Sequence, residues 1–319
     1  MSRQLNYRAT NTHQRPLLAG NTPLITIPGL ADYFAMRHLL IKDESENPLG
    51  THKDRKSLYI VTNAQRLCGG IDPAALCIVT SGNAGFSLAA FASERRLPVI
   101  AIVDRSASQQ VVRQLSIVCK RTLCIDLETK RWTSKQIRML AGETKRYPIL
   151  DATYSSRAYQ CIANEVAYEA PEVILLPVGT GELFVGLAAG LRRLKMKTRL
   201  IGITAKTRNP LADKLYAYWT PLQWRLQQLT SPPSPHQIIE LEDDRLLQET
   251  YQVVGGYLRC EPSSAAAFVL LRMCIFNPNT RIVILNTGTG RAQKTIAKTP
   301  RQDPAQRLRD SVCEGRQLT

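Results

Sequence analysis

No apolar run in the chain approaches the roughly 20 residues needed to cross a bilayer, and the first residues lack the apolar core of a secretion signal. A soluble, cytoplasmic protein without a membrane partner is therefore expected. The sequence also lacks any C-x-x-C pair among its eight cysteines, and several, such as Cys77 in LCIVT, sit inside apolar runs. Reduced, structural thiols are expected. Cys119 and Cys124 form a C-x4-C with no second pair and no well-spaced histidine to complete a tetrahedral site, so no metal is expected. Acidic residues are scarce at the N-terminus, where Arg3, Arg8 and Arg15 precede Asp32, the first of them. The same features faintly suggest a transit peptide, although a basic, frayed end is the commoner cause.

What is abundant is positive charge. Forty-two Lys and Arg stand against 26 Asp and Glu, a formal charge of +16. The basic residues are scattered and no aromatic-and-basic stripe accompanies them, which argues against a nucleic-acid partner and for a solvated basic surface. The stretch 291–319, rich in basic and poor in apolar residues, reads as a loosely attached tail. With 319 residues and 44% hydrophobic content, the rest is long enough to bury a large core.

Short β-branched runs alternate with stretches of helical period. This alternation predicts an α/β protein with mainly parallel sheets flanked by helices. Strands are expected at 39–44, 76–80, 98–104, 122–127, 173–178, 199–204 and 281–286. Helices are expected at 53–67, 84–95, 107–119, 133–145, 157–169, 183–195 and 262–275, with Gly69-Gly70 ending the first. The segment 208–237, containing WTPLQW and SPPSP, reads as an irregular excursion or a lid.

Four segments carry chemistry. GNTPL (20–24) and IKDESENPLGTHKDR (41–55) place Lys53 at the opening of a helix, where the helix dipole and the neighbours His52 and Arg55 disfavour its ammonium form and suit it to react with aldehydes. TSGNAG (80–85) lies between a strand and a helix, a natural carboxylate site or a helix cap made by Ser81 or Asn83. VGTGELFVG (178–186) has the form of a phosphate cradle, but its third glycine falls one place late for a dinucleotide fingerprint. ILNTGTG (284–290) leads a strand into Thr287.

In this order, over about residues 18–290, the four segments resemble the pyridoxal-phosphate enzymes of fold type II, the superfamily of tryptophan synthase β, cysteine synthase, serine/threonine dehydratase and threonine synthase. GNTPL, KDESENPLGTHKDR and EPSSAA (261–266) look most like threonine synthase, whereas VGTGELFVG looks more like the phosphate loop of cysteine synthase. The resemblance implies a two-lobed fold, with 1–45 and 151–290 as a larger cofactor-binding lobe and 46–150 as a smaller mobile lobe, and a homodimer. It implies that Lys53 carries the cofactor as an imine and moves the substrate α-proton, and that Asn83 meets the cofactor's phenolic oxygen. Thr80, Ser81, Gly82, Asn83, Ala84 and Gly85, with His52, would face the substrate and its carboxylate. Gly179, Thr180, Gly181, Glu182 and Leu183 would hold the phosphate, and Thr287 would meet the pyridine nitrogen. A neutral hydroxyl there leaves the ring a weaker electron sink, which suits elimination or replacement rather than transamination.

The sequence departs from the family at three places. Glu182 replaces a glycine of the loop, setting a carboxylate near the phosphate. His52 replaces the phenylalanine usual in threonine synthase. The segment 208–237 matches no threonine synthase pattern. The readings are a threonine synthase-like lyase on a small amino acid, a dehydratase or cysteine synthase-like replacement enzyme, and a non-catalytic relative that binds a ligand or an acidic partner.

Overall fold

The β-branched runs become strands because both faces of a parallel sheet are covered by helices, so that the inner strands 99–104 and 282–286 are buried along their whole length. The structure, a computed structural model, describes residues 17–206, 211–216, 222–274 and 276–289. The elements in chain order are β1 (Leu24–Ile25), α1 (Pro28–Tyr33), β2 (Leu39–Asp43), α2 (Lys53–Thr62), α3 (Ala64–Leu67), β3 (Ala75–Val79), α4 (Asn83–Ser93), β4 (Val99–Asp104), α5 (Gln109–Val118), β5 (Arg121–Ile125) and α6 (Ser134–Ala141). They continue with β6 (Ile149–Asp151), α7 (Gln160–Val166), β7 (Val173–Pro177), α8 (Glu182–Arg193), β8 (Arg199–Ala205), α9 (Gln223–Thr230), β9 (Gln237–Leu241), α10 (Asp244–Tyr257), α11 (Pro262–Met273) and β10 (Ile282–Asn286).

Two sheets form. The larger has the order β1-β2-β10-β7-β8-β9, parallel except for β1, and the smaller has β5-β4-β3-β6, parallel throughout. The seven expected strands are present. Three more were not foreseen: β1 and β6 are too short for a periodic signal, and β9 lies at the sheet edge, where its half-buried pattern is weak.

The expected helix 53–67 is broken at Asn63, whose side-chain amide donates to the Tyr59 carbonyl at 2.8 Å and competes with the backbone ladder. Gly69 and Gly70 follow with φ of +73° and +90°. The stretch 157–169 is a helix with a 3₁₀ turn at each end, and α1 and α10 were not expected at all. The segment 208–237 is irregular only in part. It contains α9, whose Leu226 and Leu229 pack against the core beneath α8, and 207–210 and 217–221 lie outside the described residues, as does the basic stretch 291–319. Among the described residues no helix is long and apolar enough to cross a membrane.

The consequence for function is one of direction. β2, β7 and β10 of the large sheet and β3 of the small sheet all end at the same cleft, and the four chemical segments are the turns that leave those ends, where open parallel sheets place ligands. A larger hollow of about 820 Å³ opens at the other end of the sheet, beside the starts of β2 and β10. None of the four segments reaches it.

Candidate active site

Between the two sheets lies a cavity of about 410 Å³. Its walls include His52, Lys53, Thr80, Ser81, Asn83, Ala84, the run from Gly179 to Leu183, and Thr287. Gly82 and Gly85, although part of the second segment, do not line it.

Lys53 is the first residue of α2, and its backbone N–H donates to the Thr51 hydroxyl at 3.3 Å. Burial, then the charge of Lys56, pulls its pKa down to about 8, with Glu182 and Glu261 acting in the opposite sense. Of the neighbours held responsible in the sequence, His52 and Arg55, neither supplies the cause. Arg55 points away, gripped by Glu44 at 2.6 Å and Glu165 at 2.5 Å. The relevant cation is Lys56, three residues on and so on the same helix face as Lys53.

His52 precedes the helix and is pinned to the Thr287 carbonyl twice, by its backbone N–H at 2.9 Å and by Nδ1 at 2.8 Å. Burial, then Lys53, holds it well below its ordinary pKa, so the ring is neutral. A carbonyl only accepts, so Nδ1 carries the proton.

In the second segment the helix cap comes from a residue not anticipated. The Thr80 hydroxyl accepts N–H bonds from Gly82 and Gly85, both at 3.0 Å, and neither Ser81 nor Asn83 caps α4. Asn83 instead donates from Nδ2 to Glu261 at 3.2 Å, and its Oδ1 is buried with no partner. Glu261 also takes the Lys214 ammonium.

The third segment turns through Gly181 at φ +80° and enters α8 without a side-chain cap. Helix geometry leaves the first-turn N–H groups unpaired, making an anion site. A Cβ on Gly181 would stand 2.3 Å from Leu226, and one on Gly179 would stand 2.2 Å from the Lys214 carbonyl, so both positions require glycine. The Glu182 carboxylate, which the sequence sets near the phosphate, is engaged by the Lys56 ammonium at 2.9 Å and by the Ser155 N–H.

The Thr287 hydroxyl is 2.7 Å from that of Ser264, which also contacts the Gly288 carbonyl at 3.1 Å. Lys56, Lys214, Glu261 and Ser264 were thus missed as site residues. For Lys56 the helical spacing was a usable signal, and for Glu261 and Ser264 the quoted EPSSAA was.

A half-buried lysine of low pKa, an uncapped helix start behind a glycine turn, and two mainly parallel sheets meeting over them define the class, an α/β enzyme of fold type II. The chain belongs to the pyridoxal-phosphate dependent enzyme family, whose pattern matches residues 16–288. It is similar to threonine synthase of Methanosarcina acetivorans, 26% identical over 196 residues that make up 58% of this chain and 45% of the relative. It is also similar to cysteine synthase B of Pseudomonas aeruginosa, 38% identical over 104 residues, 31% of this chain and 34% of the relative. The matched stretches thus span about half or less of these relatives.

Among solved structures, O-acetylserine sulfhydrylase isoform 3 of Entamoeba histolytica shares the fold with a TM-score of 0.67 at 17% identity, covering 97% of this chain and 99% of that one. O-acetylserine-dependent cystathionine β-synthase of Helicobacter pylori gives 0.67 at 19%, covering 86% and 95%.

The residues present fit pyridoxal phosphate. The uncapped start of α8 suits a phosphate, Asn83, whose Oδ1 has no partner, lines the cavity, and the Lys53 amine with its lowered pKa is matched to an aldehyde.

Proposed function

We propose that Lys53 anchors pyridoxal phosphate and that the protein is a threonine synthase-like lyase, acting by elimination or replacement at the β or γ carbon of a small amino acid. When bound, the cofactor supplies an electron sink that makes the substrate α-proton removable. Gly179, Thr180, Gly181 and the N–H groups of Glu182 and Leu183 hold its phosphate, and Asn83 orients its ring. Ser81, Asn83 and Ala84 take the substrate carboxylate at the start of α4. Lys53, with a pKa of about 8, is free amine often enough at neutral pH to accept and return a proton at the substrate α carbon. His52 fixes the Thr287 backbone.

The observation that carries the choice of reaction is the pairing of Thr287 with Ser264, two neutral hydroxyls. A ring nitrogen met by hydroxyls is not held protonated, so electrons are better drained by a leaving group than stored in the ring. Within this class the segments GNTPL, KDESENPLGTHKDR and EPSSAA, which look most like threonine synthase, favour that reading. A homodimer acting in the cytoplasm completes the proposal. Incubation of the purified protein with phosphohomoserine, O-acetylserine, serine and threonine, following the cofactor spectrum and the released products, tests it. Phosphate release from phosphohomoserine is expected. Turnover confined to O-acetylserine or to deamination would overturn the specific reading, and transamination alone would overturn the reaction class.

A further inference from the structure

Lys56 and Glu182 come from the two elements that matter most to the site. Lys56 lies one turn after Lys53 on α2, and Glu182 is the first residue of α8, at the mouth of the glycine turn. Their side chains are 4% and 1% exposed and meet at 2.9 Å. Neither has a solvent escape. Lys56 further donates to the Thr153 carbonyl at 2.8 Å, and Glu182 accepts from the Ser155 N–H, so the pair also fastens the strand-to-helix connection that follows β6. Both line the cavity.

Resting on the cofactor reading above, we propose that Lys56 and Glu182 act as one positioning unit that ties the Lys53-bearing helix to the phosphate cradle and keeps the local charge balanced for an incoming phosphate. Alone, Glu182 is a buried carboxylate at an anion site and opposes a phosphate carrying close to two negative charges. Alone, Lys56 is a buried ammonium that attracts one. Together they cancel, and the cradle binds through its N–H groups. The two groups also act on Lys53 in opposite senses, Lys56 favouring the free amine and Glu182 the ammonium.

The test compares pyridoxal phosphate with pyridoxal, which lacks the phosphate, as ligands of the full chain stripped of cofactor, in the wild type, Lys56→Met, Glu182→Gln and the double variant. Lys56→Met, which leaves the carboxylate unopposed, is expected to weaken pyridoxal phosphate about 100-fold and pyridoxal less than about threefold. Glu182→Gln is expected to tighten pyridoxal phosphate about tenfold, and the double variant to return to within about threefold of the wild type. A double variant no better than Lys56→Met, or equal losses for the two ligands, would overturn the proposal, the second result leaving only a structural role. Should Lys56→Met fail to fold, Glu182→Gln decides alone: the preference for pyridoxal phosphate over pyridoxal must rise at least about fivefold, and an unchanged preference rejects the pair. A wild type that forms no adduct on Lys53 would instead sink the function, while one that binds normally with uncoupled variants sinks only this inference.

Discussion

At the scale of single residues, the chemistry rests on keeping Lys53 partly deprotonated. An amine attacks an aldehyde only as the free base, so capture of pyridoxal phosphate by the stripped protein is expected to accelerate as pH rises and to level off above about 8, where an ordinary lysine would continue towards about 10.4. Besides burial, the charged groups that set this point are Lys56 on α2, Glu182 on α8, Glu261 before α11 and Lys214. An inflection near 10 in stopped-flow traces would show that Lys53 is solvated. Thr287 offers a second measurement. Thr287→Asp is expected to shift the bound cofactor's spectrum, lower elimination at least about tenfold and raise side transamination, because a carboxylate holds the ring nitrogen protonated. An unchanged spectrum with intact activity would place Thr287 away from the ring.

The residue scale also shows where sequence reading fell short. That Lys53, Asn83, the glycine turn and Thr287 converge was legible, since each follows a strand and the strands are parallel. The cause of the low Lys53 pKa was misassigned because adjacency in sequence was taken for adjacency in space. Arg55, two places along a helix, faces another direction, whereas Lys56, three places along, shares the face. The partner of Glu182 is 126 residues away, and the Ser264 partner of Thr287 is 23 away. No local pattern reports such pairs.

At the scale of elements, the start of α8 is the most constrained turn. Gly181 combines a positive φ with Leu226 of α9 standing where a Cβ would go. Gly181→Ala therefore has to strain the backbone and displace α9 together. It is expected to destabilise the fold by about 1–3 kcal/mol and to weaken pyridoxal phosphate at least about tenfold, measured by thermal melting and by cofactor titration. A neutral effect on both would mean the turn is not the cradle. The same contact explains why 208–237 was misjudged. The segment carries breakers and aromatic residues and no clean period, yet α9 is fixed by Leu226 and Leu229 seated against the third segment, a tertiary contact that local propensity does not encode.

At the scale of the whole molecule, α2 is held at both ends of its charge pattern. Its inner face meets α8 through Lys56. Arg55 is clamped by Glu44 after β2 and by Glu165 of α7, which also holds Lys42 of β2 at 2.6 Å. The carboxyl of Glu165 is drawn down to about 2 by these cations, against the burial that would raise it. The lysine-bearing helix is thereby fixed against the large sheet while it packs on α4 beside the small one. Arg55→Met leaves the buried Glu44 carboxylate without its cation and Glu165 with Lys42 alone, and a loss of about 3 kcal/mol is expected in denaturant titration. A loss below about 1 kcal/mol would show the network to be solvated and dispensable. How the two sheets face each other was only partly legible, because the ties across them join residues far apart in the chain.

The central claim is that the four strand-end segments form one site organised around Lys53. The direct measurement is borohydride reduction of the protein loaded with pyridoxal phosphate, followed by peptide mapping of the label. The expected result is a single label on Lys53, lost in Lys53→Ala together with the visible absorption band. A label on Lys56, Lys214 or any other lysine, or a band that survives Lys53→Ala, would contradict the account.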